Sequence, residues 1–442
     1  MTERAVTSEP PEEISALEKE TMRKVSMRLL PFLFLIYVLN FVDRSNISLA
    51  ALQMNRDLSF SSSAFGFGAG IFFLGYAAFE VPSNYALSRV GARRWIARIM
   101  ITWGIIATLM MLVRTPVQFY ILRFFLGVAE AGFFPGVVFY LTHWFPAPMR
   151  ARATSRFFIA LPISGVVSGT LGGALLALDG RLGLYGWQWL FLVEGIPSVL
   201  VGIVALRYLT DTPRDANWLD ETQRNWLVSR MEQDAQLSKN SHTMPASFAL
   251  RQPIIWLLAL PYFFMVTASY AYTFWAPTVI RDLLHTTDTQ TGLVTAAIAI
   301  VSMIGMLLVA RSSDRMKERF YHAALGGVLI AIGFVGAALL PVPILRVAFL
   351  GLVLVGANLM IAPFWCLPSL VLSGSAAAVG IALINSLGNI GGFVGPYVVG
   401  FVKDATGGTK GSFLALALVG VACAASCLLL KRTSLKNHVS AR

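Results

Sequence analysis

Along the chain, long apolar runs alternate with short polar breaks. Twelve runs are long enough to cross a bilayer: 28–50, 65–87, 95–113, 118–143, 153–178, 187–208, 253–280, 291–310, 321–340, 345–371, 376–402 and 411–430. About 20 helical residues span a hydrocarbon core roughly 30 Å thick. The runs are continuous rather than alternating, so they predict helices and not the strands of a barrel. They fall into two groups of six, which predicts an all-α membrane protein: twelve transmembrane helices in two six-helix bundles. The polar intervals set the other boundaries: a tail over 1–27, bundles over 28–210 and 253–430, a linker over 211–252 and a tail over 431–442. The linker carries Pro213, Pro245 and mixed charges, so it cannot span, although it can hold a short surface helix. The first 27 residues lack the pattern of a cleaved leader, so the first span reads as a retained helix, with Ser15 to Arg28 lying along the membrane surface.

Composition agrees with this pattern. Of 442 residues, 56% are hydrophobic and 13% charged, against roughly 45–50% and about 25% in soluble domains. The net charge of +12 invites a nucleic-acid reading, but 26 of the 35 Lys and Arg lie in one set of alternate loops and the two tails. That asymmetry is a topology signal placing both termini in the cytoplasm, and no nucleic-acid partner is expected. Cys366, Cys423 and Cys427 fall inside predicted spans and read as packing, with no His/Cys cluster for a metal. No cofactor is expected. There is no Gly-Lys nucleotide loop, so ATP is not expected to drive the protein.

The halves also repeat one another. Ser88-Arg89-Val90-Gly91-Ala92-Arg93-Arg94 follows the second span, and Asp314-Arg315-Met316-Lys317-Glu318-Arg319 follows the eighth, 226 residues later. The same offset lays Gly165 and Gly169 of the fifth span over Gly391 and Gly395 of the eleventh. These small-residue faces are expected to let the halves slide, as in a duplicated transporter that rocks about a central site.

Four charges lie deep inside spans: Asp43 and Arg44 in the first, Arg123 and Glu130 in the fourth. Unpaired, they would cost about 2.5–3.5 kcal/mol each, so they must face a wet cavity or each other. Counting along the helices puts Asp43 level with Arg123, and Glu130 about 10 Å deeper on the same face. The expected arrangement is a staircase of two carboxylates around Arg123. Adjacent side chains point about 100° apart, so Asp43 faces the fourth span while Arg44 turns elsewhere into the cavity. Asp43 and Glu130 then read as proton carriers and Arg44 as an anion ligand; a cluster that merely holds helices together is the alternative. Glu80 and Glu194, near span ends, read as structural. The second half has no intramembrane charge. It offers Tyr270, Tyr272 and Trp275 on span seven, Trp365 on span ten, and Asn385 and Asn389 on span eleven, types that stack on and hydrogen-bond a small ligand.

Four stretches carry a family resemblance: Asn40-Phe41-Val42-Asp43-Arg44-Ser45-Asn46, Val90-Gly91-Ala92-Arg93-Arg94-Trp95, Arg123 to Gly132, and Asn385 to Gly392. Together they resemble the anion:cation symporter branch of the major facilitator superfamily, over nearly the whole chain. The resemblance implies a monomeric, multi-pass protein of the bacterial inner membrane that takes up a small organic anion with protons. The anion would be a sugar acid, a hydroxydicarboxylate or an aromatic carboxylate, carried by alternating access. It implies protonation at Asp43 and Glu130 with Arg123 as coupling partner, substrate-side roles for Arg44 and Tyr76, and a hydroxyl-binding amide at Asn389. It also implies a charge latch that Asp314 and Arg315 keep in the second half, while Asn84 and Ser88 depart from the pattern in the first. An enzyme is not expected, since the five histidines lie in loops, tails or near span ends without a paired nucleophile. A sensor on a transporter fold, or an anion exchanger without proton coupling, stays as an alternative.

Overall fold

The computed structural model describes residues 11–146, 149–150, 153, 160–239, 252–371 and 374–440. Its helices are α1 (Pro11–Asp57), α2 (Ser62–Val90), α3 (Ala92–Leu109), α4 (Pro116–Glu130), α5 (Phe133–Thr142), α6 (Ala160–Leu176) and α7 (Gly186–Tyr208). After the linker helix α8 (Glu221–Lys239) come α9 (Pro253–Leu284), α10 (Asp288–Met316), α11 (Phe320–Leu339), α12 (Pro343–Val371), α13 (Gly374–Thr406) and α14 (Lys410–Ser440). Among the described residues eleven stretches are long and apolar enough to cross a membrane, α4 and α5 counting as one, and α6 adds an apolar helix of 17 residues. Each coincides with an expected span; residues 154–159 of the fifth lie outside the described residues.

Local chemistry sets the boundaries. Ser61 caps α2 by accepting from the Ala64 N–H, Thr115 caps α4 ahead of Pro116, and Thr287 with Gln290 forms a capping box on α10. Two boundaries differ from expectation. Residues 15–28 are not a separate surface helix, because α1 runs unbroken for 47 residues. Its Met22, Val25 and Leu29 form a buried stripe at helical spacing, and Lys24 reaches Gln223 of α8 at 3.0 Å and Asp220 at 3.5 Å. The fourth span is interrupted just after Glu130. Gly132 adopts φ +82°, a left-handed conformation that favours glycine, and Ser83 Oγ donates to the freed Ala131 carbonyl at 2.6 Å.

In the first half α3 packs on α7 and α2 on α4; in the second, α9 packs on α13, and α11 on α12 and α14. The halves meet where α2 lies on α13, α6 on α10 and α1 on α9. Outward faces carry exposed Leu200, Val301, Leu308 and Leu418, the surface a lipid-embedded bundle presents. One end of the molecule carries the start of α1, the end of α14 and α8; the opposite, distal end clamps the halves together. There the Asp404 carboxylate accepts from the Ser62 and Ser63 N–H groups at 3.1 and 2.7 Å, and Gln53 donates to Asp288 at 2.7 Å. Arg281 donates to the Leu52 carbonyl, and Thr289 Oγ1 donates to the Gly173 carbonyl at 3.0 Å.

Candidate functional site

Between the halves lies a cavity of about 220 Å³ lined from both sides. On α1, Tyr37, Asn40, Arg44 and Ser48 recur at helical spacing and turn one face to it. The second half contributes Tyr262 and Tyr270 from α9, Asn358 and Trp365 from α12, and Asn385 and Asn389 from α13. Tyr76 of α2 closes one wall.

Arg44 organises the polar chemistry. Its Nη2 pairs with Glu130 Oε1, and its Nη1 donates to the Tyr270 hydroxyl at 3.2 Å across the boundary between halves. The Phe41, Phe72 and Tyr76 rings lie 5.1, 5.2 and 5.3 Å from the guanidinium carbon, within cation–π range. Its buried Nε finds no hydrogen-bond acceptor among the described residues. The cavity thus presents a guanidinium with one arm on a carboxylate, one on a phenol and an uncommitted N–H. Since α4 ends at Glu130, the break at Gly132 lies immediately beside this pair.

This corrects the expected staircase. Arg44, not Asp43, faces α4. The 100° divergence of neighbouring side chains holds, but α1 is rotated the other way, and Asp43 points between α3 and α7. Its Oδ2 accepts from Ser198 Oγ at 2.5 Å and Trp103 Nε1 at 2.8 Å. Arg123 joins neither carboxylate: its Nε and Nη2 donate to the Gly68 and Ala69 carbonyls of α2 at 3.3 and 3.0 Å, with the Phe72 ring 5.0 Å away. Arg44 is therefore not the cation free of the fourth span.

Of the other expected contacts, Tyr76, Tyr270, Trp365, Asn385 and Asn389 line the cavity. Trp275 does not; it is buried between α9 and α13, donating to the Pro396 carbonyl at 3.1 Å and meeting Phe65 edge-on. Asn385 is already engaged, donating to Glu80 Oε1 at 2.8 Å while Ser386 donates to Oε2 at 2.8 Å. Among the described residues this is the hydrogen-bonded bridge between halves nearest the terminal end.

The glycines divide. Gly165 and Gly169 of α6 face α10 of the other half, beside Ala299, Ala296 and Gly292. Gly391 and Gly395 pack on Phe263, Thr267 and Ala271 of α9 in their own half, so they are not at the sliding interface. On α13 the glycines that meet the other half are Gly392, against Phe73, and Gly400, against Ser62 and Ser63. Asp314, near the end of α10, pairs with Arg319 just beyond it at 2.6 Å, and Arg315 is exposed, so among the described residues no ion pair latches these two residues to the first half. Sequence reasoning passed over Tyr37, Asn40, Ser48 and Asn358. The three on α1 share the helical period of Arg44, which is a usable signal, and Asn358 donates to Ser302 at 2.7 Å as an amide in a span must find a partner.

Comparison with known proteins adds to this geometry. The profile of the Major Facilitator Superfamily matches residues 33–396. A protein of Agrobacterium vitis named "Putative tartrate transporter" is 47% identical over 96% of this chain and 97% of its own length. The inner membrane transport protein RhmT of Escherichia coli strain K12 is 35% identical over 92% of this chain and 94% of its own. Among solved structures, a bacterial homolog of the human lysosomal transporter Spinster, inward-facing and unoccupied, superposes with a TM-score of 0.78 at 20% identity, covering 94% of this chain and 98% of that one. That last likeness is one of fold.

Proposed function

The chain belongs to the Major Facilitator Superfamily, and on that premise we propose that this secondary transporter takes up a small hydroxydicarboxylate such as tartrate together with protons. The observation that carries the reading is the Arg44 guanidinium held by Glu130 inside the cavity between halves. A carboxylate substrate and the Glu130 carboxylate compete for one cation. Protonating Glu130 removes its charge and releases an arm of Arg44, whose fork suits bidentate pairing with a substrate carboxylate. Asn389, Asn358, Tyr262 and Tyr270 supply donors and acceptors for hydroxyls and a second carboxylate. The proton and the anion therefore favour each other's binding, which is what symport requires.

The basic loops and tails support a cytoplasmic terminal end in the inner membrane. On that orientation the clamp of Asp404, Gln53 and Arg281 closes the periplasmic side. The name of the Agrobacterium vitis relative supports tartrate as the first anion to test. The test is uptake of labelled tartrate, a sugar acid and an aromatic acid into proteoliposomes with and without an imposed inward proton gradient. Accumulation of tartrate that follows the gradient is expected. Uptake indifferent to the gradient refutes symport, and preference for the aromatic acid refutes the substrate class.

A further inference from the structure

A second acidic site lies inside the first half, away from the cavity. Glu194 of α7 is 3% exposed, and neither carboxylate oxygen has a hydrogen-bond partner or an ion pair among the described residues. Asp43 is the charged group that acts on it, with the Asn46 amide of α1 alongside. Asp43 uses one oxygen for Ser198 and Trp103, while its Oδ1 is buried and uncommitted. Glu194 and Ser198 are four residues apart on one face of α7, as Asp43 and Asn46 are three apart on α1, so the carboxyls share one pocket between the two helices.

Among the described residues no cation enters that pocket. The arginines along the middle and ends of α1 and α3 that could supply one are turned elsewhere. On α1, Arg44 goes to Glu130, Arg28 lies over Tyr208 and Trp218, and Arg56 pairs with Asp57. The Tyr37 ring packs on Phe41 and Phe133. On α3, Arg98 lies over Trp95 and Arg93 pairs with Asp211; α6 has no titratable residue. A buried carboxylate without a cation costs several kcal/mol, and the counter-charge small enough for this space is a proton.

We propose that Glu194 is a third proton-carrying carboxyl, exchanging its proton with Asp43 within the first half. The step is balanced: the O–H bond at Glu194 breaks, one forms at the uncommitted Asp43 Oδ1, and the negative charge moves the other way with no further reactant. Ser198, which holds Asp43, lies four residues beyond Glu194 on α7, so Glu194 stands about one turn, roughly 6 Å, to the distal side of Asp43. The proposal rests on the proton-coupled reading above.

Two measurements separate them. In proteoliposomes under an inward proton gradient, Glu194→Gln is expected to slow driven uptake of labelled tartrate on the order of tenfold or more, while tartrate-for-tartrate counterflow persists and Glu194→Asp restores driven uptake. Infrared difference spectra of the purified protein between acid and alkaline pH need no substrate. A carboxyl C=O band that exchanges with pH is expected in the wild type, absent in Glu194→Gln and displaced in Asp43→Asn. An unchanged band in Glu194→Gln overturns the proposal, as does driven uptake by that variant equal to the wild type. A wild type whose uptake ignores the gradient overturns the symport reading instead, and the infrared result still decides Glu194. Should Glu194→Gln fail to fold, Glu194→Asp and Asp43→Asn carry the infrared test, and a band identical in both to the wild type overturns it.

Discussion

Replacing Gly169 with alanine should open the distal side of the transporter. A Cβ at 169 would stand 2.6 Å from the Gly292 carbonyl oxygen and 2.9 Å from the Ala296 nitrogen, both backbone atoms of α10. Ordinary contact begins at 3.4 Å, so α6 and α10 must part by about 0.8 Å. Overpacking of this kind costs about 1–3 kcal/mol. That strain falls on the state in which the distal ends are closed, because the helices separate in the other. The equilibrium should then move about 5- to 150-fold toward distal opening. A cysteine in place of Ser48, which lines the cavity, reports the change through its labelling rate by a membrane-impermeant maleimide added on the distal side. Labelling at least about fivefold faster in Gly169→Ala is expected. Gly391→Ala is the control: its Cβ meets Thr267 Oγ1 at 2.6 Å within the second half. It should lower thermal stability without speeding distal labelling. Wild-type labelling in Gly169→Ala, or equal opening in Gly391→Ala, would refute the division of the glycines.

Three further outcomes follow from the site. Glu130→Gln should abolish gradient-driven accumulation while substrate exchange continues, measured as uphill uptake against counterflow; full accumulation removes Glu130 from the coupling. Arg44→Lys keeps the charge but loses the fork that reaches Glu130 and Tyr270. Substrate affinity should fall about tenfold or more in a protein that still folds, and unchanged affinity by calorimetry reassigns Arg44 to packing. Arg123→Gln strips donors from the Gly68 and Ala69 carbonyls. It should cost about 1–3 kcal/mol in thermal unfolding, and normal stability with lost coupling returns Arg123 to the proton path.

The twelve spans and the two-bundle fold were legible because a bilayer demands continuous apolar helices, a signal that needs no tertiary knowledge. The chemistry on those helices was harder to read, since each depends on a rotation the sequence does not state. That Asp43 and Arg44 diverge follows from 100° per residue; which one meets Glu130 depends on how α1 packs. The glycines show the same limit. Gly165 faces the other half, and its counterpart in facing is Gly392 rather than Gly391, so one residue of offset separates an interface glycine from an internal one. Glu80 reads correctly as a hydrogen-bonded residue near a span end. By the same logic Glu194 was expected to find a partner, and among the described residues it has no ion pair, with only the Asn46 amide alongside, because counting depth along a span says nothing about its neighbours.

The distal clamp has a consequence for the pace of the cycle. The first turn of α2 is capped partly from its own half, by Ser61, and partly from the other, by Asp404, which is exposed. When the halves part, water takes the place of Asp404 at the Ser62 and Ser63 N–H groups, so little is lost at each release. A contact that water replaces so readily has a short dwell time and re-forms easily, suiting motions of microseconds to milliseconds. Because Asp404 acts as an exposed charge, the dwell time should shorten with rising ionic strength. The buried Arg44–Glu130 pair, screened far less, should keep its hold on the anion over the same range of salt.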